Sequence, residues 1–423
     1  MVRTTSKLIA GAAVIAIAAA ACGSSKSSTP TTGGSATTGA ATGGGSSAAS
    51  GGKSLKVGVI TDVTGLGASG EAHIEDGVKA GIEVAKAAGY DISYVVGDSK
   101  TSPTDVLAAA KKLVEQDHVD VILGSSAVLF GAAQYLSQKN VPVVGFPQDG
   151  PEWLTAKNMF SMEGKIDTTK VTTTYGQLAK DLGATTIGAV GYSISPTSAE
   201  AAKAAGVSGE AVGLKTGYIN AKVPFGSTDV QPLALAMKNA GVDSLFPQVD
   251  PNTSFALLSA LKTLGVDIKA AFLPIGYGGD LLESGDATLK AADGALFGVA
   301  FEPIEMDTPA TQAFLKALKD TGGTQTPGLP VYTGYTSILL LVEGLKNVTG
   351  DLSSQSIIDG LTKVTTFDAG GLTGKPFNPQ DPSNVLGPNN CSFVVKLTGG
   401  KFELVPNATP ICGTIIDGKT VSP

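Results

Sequence analysis

The chain has 423 residues, 42% hydrophobic and 16% charged, with 55 glycines and a formal net charge of −7. That length accommodates two domains of ordinary size with proper cores, and an acidic balance without a basic cluster excludes nucleic acid as a partner. Three cysteines and two histidines, His73 and His118, far apart in the chain, exclude zinc of the Cys/His type; no metal and no cofactor are expected.

Residues 1–52 form a distinct opening. Arg3 and Lys7 lead into an apolar run from Leu8 to Ala21, followed by Cys22-Gly23 and a Ser/Thr/Gly/Ala tract ending at Gly52. A charged start, a short apolar core and small residues before a cut describe a secretory signal peptide over residues 1–21. The run is shorter than the roughly 20 apolar residues a spanning helix needs. A cysteine placed at the cut resembles the lipobox of bacterial lipoproteins, which implies that Cys22 carries lipid and anchors the protein to the outer side of the bacterial cell membrane. Residues 23–52 carry one charge, Lys26, and no apolar side chain larger than alanine, too little to offset the entropy of ordering. Residues 22–52 therefore read as a lipidated cysteine and a disordered tether, with a mean reach of roughly 30 Å. Loss of Arg3 and Lys7 leaves 28 Lys+Arg against 37 Asp+Glu, a net charge of −9. Cys391 and Cys412 remain, 21 positions apart, and an oxidising compartment predicts one disulfide between them.

From Leu55 the chain alternates short β-rich runs with amphipathic helical stretches. Leu55 to Ile60 reads as a strand, Glu71 to Ala88 as a helix, Ile92 to Gly97 as a strand and Pro103 to Gln116 as a helix opening on proline. A strand from Val119 to Gly124, a helix through Gln138 and a strand from Val141 to Phe146 complete a first block. Nearly all-apolar strands separated by helices imply a parallel sheet covered on both faces. In the second block, Asp167 to Leu182 reads as helix, Thr186 to Val190 as strand, Ser198 to Ala211 as helix and Leu214 to Ile219 as strand. Val230 to Ala240, Ser244 to Val249, Asn252 to Leu264 and Lys269 to Leu273 continue the alternation. Helices follow at Pro309 to Thr321, Tyr332 to Asn347 and Ser353 to Leu361. Cys391 to Leu397 and Lys401 to Val405 flank Thr398-Gly399-Gly400, a hairpin signal.

Several marks, in order, carry a family resemblance. They are Lys56-Val57-Gly58-Val59-Ile60 with Thr64-Gly65 after it, the Ala/Lys-rich helix before Val121-Ile122-Leu123-Gly124-Ser125-Ser126, Val141-Pro142-Val143-Val144 entering a Pro-containing loop, Thr228-Asp229 opening a helix, and the aromatic-bearing helix from Tyr332 to Asn347. Over about residues 53–405 the chain resembles the branched-chain amino acid binding proteins, the type I periplasmic binding fold that serves ABC importers. The resemblance implies an α/β fold of two lobes, each a parallel sheet flanked by helices, joined by three hinge crossovers near Gly164, Phe301 and Thr366. Lobe one is then 53–163 plus 302–366, and lobe two is 164–301 plus 367–423 with the C-terminal hairpin. It also implies a monomer that is not an enzyme, a small-molecule ligand such as an amino acid or amide, and an ABC permease as partner; a ligand sensor of the same fold is the alternative.

The ligand is expected at the carboxyl ends of the strands. Ser125, Ser126 and Ala127 follow a strand and precede a helix, where hydroxyls and unpaired backbone N–H groups suit a carboxylate; the same serines also suit a plain helix cap. Gln148 and Asp149 sit in the next strand-end loop. The second lobe offers Tyr192, Asp250 and Tyr277, each after a strand, where local turn chemistry explains them equally well. Relatives that bind amino acids place an acid near the fourth strand of this lobe, and here Ile275 stands at that point. Trp153, the single tryptophan, is expected to pack. The enzyme readings fare poorly. Gly65-Leu66-Gly67-Ala68-Ser69-Gly70 satisfies the dinucleotide fingerprint, but Thr61 to Thr64 separate it from the strand, whereas a pyrophosphate-binding turn leaves the strand directly. No G-x-S-x-G occurs, and two histidines leave little room for a Ser/His/Asp triad.

Overall fold

The computed structural model describes residues 53–148, 150–227 and 229–423. The signal peptide, Cys22, the tether, Asp149 and Thr228 lie outside the described residues. Two parallel sheets organise the chain. The first is built from β1 (Lys53–Thr61), β2 (Tyr90–Asp98), β3 (Val121–Ser125), β4 (Val143–Gly145) and β5 (Met159–Ser161), in the order β2-β1-β3-β4-β5. Between them run α1 (Ile74–Ala87), α2 (Pro103–Glu115), α3 (Phe130–Gln138) and the short α4 (Glu152–Thr155). Val57, Val59, Val121, Ile122 and Leu123 are fully buried, which is why these strands carry no polar alternation. Trp153 is 2% exposed and packs in the cluster under this sheet with Val106, Leu113 and Leu136.

The second block opens with β6 (Lys170–Thr172) and α5 (Thr174–Asp181), where the sequence predicted one helix over 167–182. The run Thr168-Thr169-Lys170-Val171-Thr172-Thr173-Thr174 is β-branched at every position but Lys170. Its strand pairs antiparallel with Ile415–Thr420 at the far end of the chain, a partner that no local pattern reveals. Then come β7 (Thr186–Tyr192), α6 (Pro196–Ala211), β8 (Lys215–Val223), α7 (Gln231–Asn239), β9 (Ser244–Gln248), α8 (Pro251–Thr263), β10 (Ala270–Leu273), the short α9 (Gly279–Leu282) and α10 (Asp286–Ala292), and β11 (Leu296–Val299). The sequence reading did not anticipate α9, α10 or β11. The helices α11 (Pro309–Asp320), α12 (Leu329–Lys346) and α13 (Ser354–Thr362) return to the first lobe, α11 and α12 packing on α1. The tail supplies β12 (Cys391–Thr398), β13 (Lys401–Leu404), β14 (Ile411–Cys412) and β15 (Ile415–Thr420). The second sheet runs β13-β12-β11-β10-β9-β7-β8, parallel from β11 to β8 and closed by the expected hairpin, with Thr398 opposite Lys401. The Cys391–Cys412 disulfide is present and ties β12 to β14.

Helix α12 is apolar on all sides because it is the buried centre of the first lobe. It crosses α1 so closely that a Cβ at Gly77 would lie 2.0 Å from the Val331 carbonyl oxygen, and one at Gly334 would lie 2.5 Å from that of Ile74. Those two glycines set the close approach of the helices. The chain passes from the elements of the first sheet to those of the second through 162–169, returns through 300–308 to the helices packed on the first sheet, and passes back through 363–390 to β12, which pairs with β11.

Candidate ligand-binding cleft

Register decides what meets at the top of the first sheet. Thr61 of β1 lies opposite Asp98 of β2 and Ser125 of β3, so those strands finish level. One residue further on, Asp62, Ser99 and Ser126 therefore converge. The Ser126 hydroxyl donates to Asp62 Oδ1 at 2.5 Å, the Ser99 hydroxyl donates to the same oxygen, and the Ala127 N–H donates to Oδ2 at 3.2 Å. Asp62 is only 2% exposed, and burial pushes its carboxyl above the ordinary range against the pull of those donors.

Glu71 follows a 3-10 turn at Ala68–Gly70 and is 7% exposed. It accepts from the Ser125 hydroxyl at 2.6 Å and from Thr61 Oγ1 at 3.4 Å, and Gln148 adds a side-chain hydrogen bond. Burial, then the neighbouring charge of Asp62, drives its carboxyl well above the ordinary range. The structure thus brings Ser125, Ser126, Ala127 and Gln148 together, as the sequence suggested, but with a different occupant. Two of the protein's own carboxyl groups take the donors expected to hold a ligand carboxylate. The serines are not helix caps either: α3 begins at Phe130, after a turn in which Val128 N–H bonds Ser126 Oγ at 3.3 Å and Leu129 N–H bonds the Ser126 carbonyl at 3.2 Å. Sequence reasoning missed Asp62 and Glu71. Their signal was position, one just past a strand and the other just past the glycine-rich turn. That turn places Gly67 against Asp62, where a Cβ would lie 2.4 Å from Oδ2, so an acid occupies the spot a pyrophosphate would require.

In the second lobe Tyr192 and Asp250 belong to each other. The Tyr192 hydroxyl donates to Asp250 Oδ2 and accepts from the Asp250 N–H at 2.7 Å, while Asp250 caps α8 through the Thr253 N–H at 3.1 Å. This is turn and cap chemistry. Tyr277 is buried among Tyr332 and Phe402 and donates to Glu305 Oε2 at 2.7 Å, bracing the second crossover. Asp280, at the start of α9, is the acid that stands out here: its Oδ2 is buried with no hydrogen-bond partner among the described residues. Burial, then the charge of Glu283, raises its pKa well above the ordinary range, and its own charge acts in turn on Glu71.

The lobes touch above these groups. Asn252 Nδ2 donates to Ser69 Oγ at 3.4 Å, the Gly150 N–H donates to Thr197 Oγ1 at 3.0 Å, and His73 Nε2 lies 3.2 Å from Glu283 Oε2. Ile275, in the place where relatives carry an acid, faces the turn at Gly70, 3.6 Å from where a Cβ there would sit. A cavity of about 200 Å³ lies at the carboxyl ends of β4, β9, β10 and β11, lined by Phe146, Glu163, Tyr175, Gln248, Pro274 and Ser392 among others. Glu163 is 8% exposed, and burial pushes its carboxyl up to about 8. Strand carboxyl ends from two sheets meeting over one cavity are where open α/β folds take ligands.

A family model described as periplasmic binding protein matches residues 54–401. The chain belongs to that family. No curated protein matches the sequence. Among solved structures, this periplasmic binding protein is similar to the leucine binding protein LivK of Thermotoga maritima, at 17% identity and TM-score 0.69 over 83% of this chain and 97% of that one. It is similar too to two ABC transporter solute binding proteins of R. palustris. One, in complex with 4-hydroxybenzoate, has 19% identity and TM-score 0.68 over 84% and 96% of the chains; the other, in complex with benzoate, has 18% and 0.69 over 86% and 98%. At these identities the likeness is one of fold, and it extends over both lobes of the periplasmic binding protein.

Proposed function

We propose that the protein is the extracytoplasmic solute-binding lipoprotein of an ABC importer, capturing a small polar solute between two closing lobes and presenting it to a membrane permease. The cavity at the strand ends, bordered by loops of both lobes, carries this reading. The family match supports solute binding, and neighbours described as solute binding proteins of ABC transporters support the importer. The lobes divide at 53–163 plus 302–366 and 164–301 plus 367–423, with hinges near Gly164, Phe301 and Thr366 that absorb the closing motion. Cys22 holds a monomer to the membrane through lipid, and residues 23–52 let it reorient over roughly 30 Å.

A thermal-unfolding screen of the full chain in detergent tests capture, with amino acids, amides, urea and small amines as probes. A ligand bound only by the native state at a hundred times its Kd adds about 2.7 kcal/mol. If no probe stabilises the protein, the capture reading fails. For the anchor, Cys22→Ser is expected to move the protein from the membrane fraction to the soluble fraction with ligand binding unaltered. A variant that stays with the membranes removes the lipid from the account.

A further inference from the structure

The charge lining the cleft narrows what it accepts. Ser125, Ser126 and the Ala127 N–H, the strand-end donors that would receive an anion, are committed to Glu71 and Asp62. The cavity lining holds no Lys, Arg or His, and its one acid is Glu163. In the loops that carry these acids, two acceptors are left over: Asp280 Oδ2 and Gln148 Oε1 are both buried and unpaired among the described residues. Buried acceptors without donors are costly, and a buried carboxylate without a cation more so. Glu71 stands in the first lobe and Asp280 in the second, on segments that meet where His73 Nε2 lies 3.2 Å from Glu283 Oε2, so closing the lobes sets the two acids against each other. Closure is unfavourable for the ionised pair alone and favourable with a positive charge between them. Among the described residues no group of three or more His, Cys, Asp or Glu is arranged to hold a metal ion. Neither acid lines the cavity itself, whose wall of Phe146, Phe246, Phe272 and Leu273 is apolar and aromatic and suits the body of an organic cation; Leu329 lines it beside Gly328, where a Cβ would lie 2.8 Å from Asp280 Oδ1. Two loops join wall and acids: Phe146 lines the cavity two residues before Gln148, and Pro274 lines it six residues before Asp280.

We propose that the solute is a small organic cation, an amine or amidinium with an apolar body, whose charge sits between Glu71 and Asp280 and couples binding to lobe closure. This rests on the capture reading. The groups that bear on the pair are Asp62 and Asp98 from the first lobe and Glu283 from the second, with His73 against Glu283. Acids dominate on both sides, so bound cation favours their ionised forms. Amine affinity therefore rises as pH goes from 5 to 8, and binding releases protons.

The test is calorimetric titration of the full chain in detergent at pH 8 with phenethylamine, putrescine and agmatine, and separately with benzoate and leucine. At least one amine is expected to bind saturably, and benzoate not at all. Glu71→Gln and Asp280→Asn should each weaken that amine tenfold or more while leaving ligand-free stability unchanged or raised, because each removes one of two facing like charges. Lower stability with unchanged amine affinity would assign the acids a purely structural role and overturn the proposal. If benzoate or leucine binds, or an amide or amino acid stabilises in the thermal screen, while no amine binds, the proposal falls and capture stands. If nothing binds in either experiment, both fall.

Discussion

Glu163→Gln is expected to leave stability nearly unchanged at pH 4.5 and to raise it on the order of 4 kcal/mol at pH 9, a difference that urea unfolding at the two pH values measures directly. The Glu163 carboxyl is 8% exposed and lines the strand-end cavity, and burial pushes it up to about 8 from an ordinary 4.5. Below pH 4.5 it is protonated in folded and unfolded chains alike and contributes no difference. Between pH 4.5 and 8 the unfolded chain ionises while the folded one holds its proton. The folded state binds more protons through that window, so stability falls as pH rises, and above 8 the loss is complete. Glutamine keeps the shape and removes the titration. A wild-type-to-variant difference that is flat with pH would show that burial does not govern this carboxyl.

The second large effect concerns the tail. Replacing both Cys391 and Cys412 with alanine is expected to cost about 3 kcal/mol, because a bridge across 21 positions removes that much loop-closure freedom from the unfolded chain. The loss should concentrate in β14 and β15, since β12 and β13 keep their own hydrogen-bonded hairpin and β12 keeps its edge on β11. Hydrogen exchange is expected to accelerate at Ile411 to Thr420 and to stay slow at Phe393 to Leu397. Equal protection in both segments, with an unchanged urea midpoint, would mean that the pairing of β15 with β6 holds the tail by itself.

Much of the fold was legible because it is local. Apolar runs of strand length bounded by helices announced the parallel sheets, prolines and serines marked helix starts such as Pro103 and Ser353, and Thr398-Gly399-Gly400 marked the hairpin. The misread segment, 167–182, is one whose strand exists only through a partner near the chain's end. The cleft was half legible. Serines after β3 and the glutamine after β4 were visible as strand-end polar groups, and they do converge. Tyr192 and Asp250 were visible for the same reason but satisfy each other instead.

By itself the sequence determined two α/β lobes, the family and the polar character of the strand-end loops, all of which follow from hydrophobic period and residue type along short stretches. Only the tertiary structure decided the charge of the site. Asp62 meets Ser126 because β1 and β3 end in register, and Glu71 comes under the influence of Asp280 because one lobe is laid over the other. Register and lobe packing join residues some 60 to 200 positions apart, and in the low-dielectric interior those encounters decide what charge the cleft accepts.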